Sequence, residues 1–161
     1  MKIEVRDQLG NIVQLDGPAR RIVSLVPSQT EWLAYLGLED QVLGITKFCV
    51  HPFSWKTRKS IIGGTKSVHF ERIRQLEPDL IIGNKEENTR DVMDALSARY
   101  NCYISDVSDL ESAIEMMKDI GKLTGTEDKA IHFTDHMRWL HSRGLNSTLR
   151  KNAEQVAYVI W

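Results

Sequence analysis

An α/β fold, with a Rossmann-like parallel sheet and flanking helices, is predicted by three features of this 161-residue chain. Short apolar runs alternate with helix-length stretches from residue 21 onward, the pattern of a parallel sheet covered on both faces. Helix-start and helix-stop residues separate the two kinds of segment. With 42% hydrophobic residues, the chain has material for one domain with a real core.

Residues 2–6 (KIEVR) and 12–15 (IVQL) alternate apolar and polar around Leu9-Gly10-Asn11, which predicts an N-terminal β-hairpin ended by Asp16-Gly17-Pro18. Arg21 to Leu25 (RIVSL) reads as a buried strand. Ser28 and Glu31 have capping-box spacing, so a helix is predicted to start at Ser28 and run to about Leu36, with Gly37 as its stop. Val42 to Ile45 is a second strand, and the polar, aromatic stretch Thr46 to Ser60 reads as an exposed loop. Ile61-Ile62 is a short strand closed by Gly63-Gly64. Ser67 is placed to cap a helix to about Glu77, Pro78 breaks it, and Asp79 to Ile82 is a strand. Asn88 is placed to cap a helix to about Arg99, and Cys102 to Ser105 is a strand. Ser108 and Glu111 form a second capping box for a helix ending near Lys122.

Thr126 opens the longest helical stretch, on which Ala130, Phe133, Met137 and Leu140 form one apolar stripe. A helix from there to about Arg150 would be roughly 37 Å long, at about 1.5 Å per residue. Val156 to Trp161 (VAYVIW) reads as a further strand that meets the chain end with no neighbour after it.

Composition narrows the function classes. A net charge of −1 leaves no electrostatic footprint for nucleic acid or an anionic membrane surface. No apolar run approaches the roughly 20 residues of a spanning helix. The charged, alternating start MKIEVRDQLGNIVQLDG lacks the apolar core and cleavage site of a secretory signal, so the chain reads as a cytosolic protein, a mature exported form or a segment. Cys49 and Cys102 read as free thiols rather than a disulfide. Phosphate-binding glycine loops, a nucleophile elbow and a zinc-protease helix motif are all absent, and nothing signals catalysis.

In open α/β sheets ligands gather at the carboxyl ends of strands. The loop after Leu25 supplies Ser28 and Thr30, and the loop after Ile82 supplies Asn84. The loop after Ile45 is the richest. Its Phe48, Phe53 and Trp55 either suit a large flat ligand or cover a core edge. Cys49 and His51 carry donors for a soft or borderline metal, or serve structure alone. His132 and His136, at i and i+4, have chelating spacing, or belong to a solvated helix face. Glu71, in a first helical turn, complements the helix dipole.

The segment RIVSLVPSQTEWLAYLGLEDQVLGITKFCVHP resembles the opening of the cobalamin-binding and ferric-siderophore-binding proteins of ABC importers. The segment IIGGTKSVHFERIRQLEPDLII resembles the next feature of that family, and the likeness continues more weakly from about residue 20 to the end. The resemblance implies a periplasmic-binding-protein fold: two α/β lobes, a long rigid interdomain helix and ligand in the cleft between lobes. On that basis residues 1–125 are the N-terminal lobe, 126–152 the backbone helix, and 153–161 the first strand of a second lobe. Glu71, in HFERI, matches the glutamate that docks into arginine pockets of the permease. Phe48 matches an aromatic of the cobalamin binders. Thr65 and Lys66 stand where those proteins often carry a tryptophan, and a lysine there favours an anionic ligand such as a ferric siderophore or a haem propionate.

The implied function is the first lobe of a substrate-binding protein for an ABC importer of a metal chelate such as cobalamin, ferric siderophore or haem. It is no enzyme, and its cobalt or iron chelate is cargo rather than an intrinsic cofactor. Ser28, Thr30, Phe48, Cys49, His51, Lys66 and Asn84 are its expected ligand-binding residues, and the permease is the partner of Glu71. The parent protein is expected in the periplasm or at the cell surface, and otherwise in the cytoplasm. Two alternatives stand beside this reading. One is a cytosolic metal-binding or chaperone protein using Cys49, His51, His132 and His136. The other is a Rossmann-like enzyme.

Overall fold

The computed structural model describes residues 2–146. The hairpin forms as predicted, from β1 (Ile3–Arg6) and antiparallel β2 (Ile12–Leu15). Its turn is organised by the buried Asp7, whose Oδ1 accepts from the N–H groups of Leu9 and Asn11 at 3.0 and 2.7 Å. The other carboxylate oxygen accepts from the Ile104 N–H at 3.3 Å, tying the hairpin to the main sheet.

That sheet has five strands: β3 (Ile22–Ser24), β4 (Val42–Ile45), β5 (Ser60–Ile61), β6 (Leu80–Asn84) and β7 (Cys102–Ser105). All pairings are parallel, in the order β5-β4-β3-β6-β7. The chain walks outward from β3 through β4 to β5, then returns across the sheet to β6 on the far side of β3. The switch point of the sheet therefore lies between β3 and β6.

Helices cover both faces: α1 (Pro27–Leu36), α2 (Phe53–Arg58), α3 (Phe70–Leu76), α4 (Arg90–Ser97), α5 (Leu110–Thr124) and α6 (Glu127–Asn146). Strand alternation sorts the core into two layers. Ile22, Leu80 and Ile82 point to one side with Leu33, Ile120 and Leu123, whereas Val23 and Ile81 point to the other with Ile73, Met93 and Leu96. Each fully buried aliphatic side chain contributes about 1.5–3 kcal/mol of transfer free energy, which is what holds the two helical layers on the sheet. Helix α6 lies against α5 at close range, since a Cβ on Gly121 would sit 2.5 Å from that of Ala130.

Helix starts differ from the predicted ones. Helix α1 begins at Pro27 behind Val26, without a side-chain cap, because the fixed φ of proline suits the first helical position. The Ser28–Glu31 box therefore does not form. Gly37 does stop the helix, in the left-handed conformation at φ 86°. Helix α3 starts after His69 rather than Ser67, and α4 after Thr89 rather than Asn88. The capping box of α5 is Asp109 with Ser112, not Ser108 with Glu111: Asp109 accepts from Ser112 N at 2.8 Å, while Ser112 Oγ accepts from Asp109 N at 3.0 Å. The stretch Thr46–Ser60 is no simple loop, because α2 forms within it and buries Trp55. On α6, Ala130 is buried and Phe133 and Met137 partly so, but Leu140 is exposed and the buried Thr134 joins the contact face instead. The VAYVIW segment lies outside the described residues.

Candidate functional site

All five parallel strands end at one edge, and the loops there form two regions of different character. Over β3, β6 and β7 the loops are locked by buried polar side chains. Gln29, 2% exposed, donates through Nε2 to Ser105 Oγ. Asn84 Nδ2 donates to the same hydroxyl at 3.0 Å, while Asn84 Oδ1 accepts from the N–H groups of Glu86 and Glu87. Asn88 then accepts from Asn84 N and donates to Thr65 O, both at 2.8 Å, linking this network to the loop after β5. These bonds hold buried polar groups that would be costly to leave unpaired.

Over β4 and β5 a recess of about 530 Å³ opens instead. Phe48 stands on its wall, 51% exposed, with Lys47, Gly63, Gly64, Lys66 and His69 around it. A tight loop builds the far wall. Gly63 bridges Val68 in antiparallel fashion and Gly64 N donates to Ser67 O at 2.8 Å. Gly63 adopts φ 113°, and a Cβ there would lie 2.5 Å from Ser67 O, so this closure requires glycine. Lys47 N donates to Gly63 O at 2.8 Å and joins the two walls.

The structure brings together only Phe48 and Lys66 of the seven ligand-binding residues expected from sequence. Thr30 and Cys49 are corrected to positions behind the surface: Cys49 is 1% exposed and Thr30 is fully buried. Thr30 Oγ1 lies within hydrogen-bonding reach of Cys49 Sγ at 3.1 Å, Ser24 Oγ at 2.8 Å and Val26 O at 2.9 Å. Thr46 Oγ1 lies 3.2 Å from the same sulfur. This knot ties the end of β3 and the first turn of α1 to the turn that carries Phe48. Asn84 likewise spends its amide internally. Ser28 and His51 are exposed but do not line the recess. Phe53 is exposed and Trp55 is buried, so the loop aromatics divide between surface and core. Lys47 and His69 were missed from sequence. The available signal for Lys47 was its adjacency to Phe48, and His69 offered none.

Other candidates resolve as follows. Both cysteines are free and buried, and burial pushes the Cys102 thiol up to about 11. Among the described residues no group of three or more potential metal ligands occurs, and exposed His136 stacks on Trp139 at 5.6 Å. Glu71 is exposed at the start of α3 and holds a bidentate pair with Arg74, at 2.8 and 2.6 Å. That guanidinium holds the Glu71 carboxyl below its ordinary range. Beside it, Phe70, Arg74, Ala98 and Tyr100 line a second recess of about 500 Å³ between α3 and α4.

The recess lies at the carboxyl edge of the parallel sheet, the edge where open α/β sheets commonly take ligands. The chain belongs to the periplasmic binding protein family, whose model matches residues 22–138. It is 29% identical over 141 residues to an ABC transporter substrate-binding lipoprotein of Bacillus subtilis, covering 84% of this chain and 44% of that protein. It is 27% identical over 134 residues to a cobalamin-binding protein of Halobacterium salinarum, covering 82% of this chain and 36% of that protein. A periplasmic heme-binding protein from Pseudomonas aeruginosa superposes with a TM-score of 0.70 at 25% identity, over 78% of this chain and 45% of that one. The chain thus spans less than half the length of these relatives. No helix among the described residues is long and apolar enough to cross a membrane.

Proposed function

We propose that this chain is the N-terminal lobe of a substrate-binding protein that delivers a metal chelate, of the cobalamin, ferric-siderophore or haem type, to an ABC importer. The observation that carries this reading is Phe48. A large aromatic held half-exposed at a recess on the carboxyl edge of the sheet offers a face to a flat ligand. Family membership and the binding described for the relatives point the same way. Ligand is captured between this edge and a second lobe, with Ser28 and His51 at the periphery, and released unchanged on docking. Helix α6, 20 residues and about 30 Å long, serves as the connection between lobes. Glu71 docks to the permease. Its pairing with Arg74 supports this, because the carboxylate already presents both oxygens to a guanidinium, and a permease arginine would take over the same geometry. The protein works in the periplasm or at the cell surface.

Titration of the full-length protein with cyanocobalamin, haemin and ferric siderophores, followed by tryptophan fluorescence, tests the reading. Saturable quenching by one of them is expected, and the absence of a response to all would sink it.

A further inference from the structure

The fold settles where His132 and His136 stand. Both lie in the interior of α6, one turn apart, a spacing that puts Cβ atoms about 5–6 Å from each other. The roll of this helix is fixed from its inner side. Ala130 and Thr134 are buried, and Phe133 packs against Trp32 and Tyr35 at ring-centre distances of 5.2 and 4.7 Å. The other side, carrying His132, Asp135 and His136, is exposed.

Two imidazoles at i and i+4 on one helix face are the paired ligands of helical zinc sites. Here their surroundings favour a cation. Asp128 lies one turn before His132, Asp135 stands one residue before His136, and both are exposed. Asp135 keeps only a long pair with Lys118, at 3.8 Å. The His136 ring is held by Trp139, stacked at 5.6 Å with 21° between the planes, and Trp139 lies 4.5 Å from the Arg143 guanidinium. A ring that is already ordered loses less freedom when it takes a ligand.

We propose that His132 and His136 form a surface site for a borderline divalent cation such as Cu²⁺, Ni²⁺ or Zn²⁺, which bridges two successive turns and stiffens the outer part of α6. Every residue from Arg138 to Arg143 is exposed, so this end of the helix has little packing to hold it and gains most from a link between turns. The ion is held rather than used for hydrolysis. In the hydrolytic form of the motif a glutamate follows the first histidine as general base, whereas here that position is Phe133, turned into the aromatic cluster. This site is independent of the recess over β4 and β5.

Cu²⁺, Ni²⁺, Zn²⁺ and Mg²⁺, each alone, are titrated into the full chain and followed by calorimetry, tryptophan fluorescence and melting temperature. Cu²⁺ should bind more tightly than Ni²⁺ or Zn²⁺, and Mg²⁺ should give no response, the order expected of imidazole ligands. Bound Cu²⁺ should quench Trp139, whose ring stacks on His136, and saturating metal should raise the melting temperature. Trp139→Phe should lose that quenching and keep the calorimetric binding. His132→Ala and His136→Ala should each lose about tenfold or more in affinity, at least the cost of losing an outer-shell partner, with the metal-free melting temperature unchanged. His141→Ala, five residues beyond His136 and on a different face, should bind as the parent does. No saturable Cu²⁺ binding, or unchanged affinity in the His132→Ala, His136→Ala double variant, overturns the site. An equal loss in His141→Ala overturns its assignment to this pair.

Discussion

The two halves of the carboxyl edge differ in what their polar groups are for. Between β3 and β6, at the switch point where open α/β sheets commonly take ligands, the crevice is filled by the side chains of Gln29, Asn84 and Ser105 bonded to one another. One strand further out, over β4 and β5, Lys47, Lys66 and His69 line a recess around the exposed Phe48 ring, with Lys47 Nζ 5.0 Å from its centre. The first region spends most of its hydrogen-bonding capacity on order, leaving Gln29 Oε1 buried without a partner among the described residues. The two regions are nonetheless linked, since Asn88 accepts from Asn84 N in the first and donates to Thr65 O in the loop that shapes the second.

The contrast can be broken most severely at Gly63. Gly63→Val must strain a positive φ and push against Ser67 O, so denaturant unfolding should show a loss of about 3 kcal/mol. The recess should be lost with it. Next is the link itself. Asn88→Ala strands a backbone N–H and a carbonyl, and is expected to cost about 2 kcal/mol while weakening ligand binding through the Lys66 loop. Normal stability in that variant would mean the two regions are independent.

A site remote from both serves as a control. Burial raises the Asp119 carboxyl from 3.8 to about 6, partly offset by the Tyr103 hydroxyl that donates to it at 2.9 Å. The folded state then holds this proton more tightly than the unfolded chain. This contribution to stability is therefore full below about pH 4 and is lost as pH rises through about 6. Asp119→Asn should be more stable than the parent at neutral pH by about 1 kcal/mol, reduced from the full shift because the group is partly solvated, and the gain should vanish below about pH 4. Ligand affinity should not change. The smallest stability effect is expected at the recess. Phe48→Ala should alter unfolding by less than about 0.5 kcal/mol yet cost about 1 kcal/mol or more of binding, read by titration. A large stability loss there would make Phe48 a core residue after all.

Local signals decided much of this architecture. Alternating apolar runs gave β4 and β7 to the residue, because a short buried strand needs little beyond a continuous apolar stretch between turn residues. Gly37 ended α1 where a left-handed residue was required. The RIVSLVPSQTEW and HFERI segments carried the family likeness, and Phe48 and Lys66, both named from sequence as ligand-binding residues, line one recess. Helix starts were less legible. Ser28 and Ser108 have the chemistry of caps, but proline at the first helical position and the aspartate one residue further on were better placed to take the role.

What the amino-acid order could not reveal was which polar residues would be consumed internally. Thr30, Cys49 and Asn84 look as available in the chain as Lys66 does. Contacts across gaps of 19 residues for Thr30 with Cys49, and 21 for Asn84 with Ser105, take them out of the surface. The same long-range folding sets Lys47, Lys66 and His69 around one ring. Residue type and spacing were enough to define the strands, helices and family, because those depend on neighbours in the chain. The division of one sheet edge into a sealed half and an open half depends on groups distant in the chain meeting in space, and only the tertiary structure decides that.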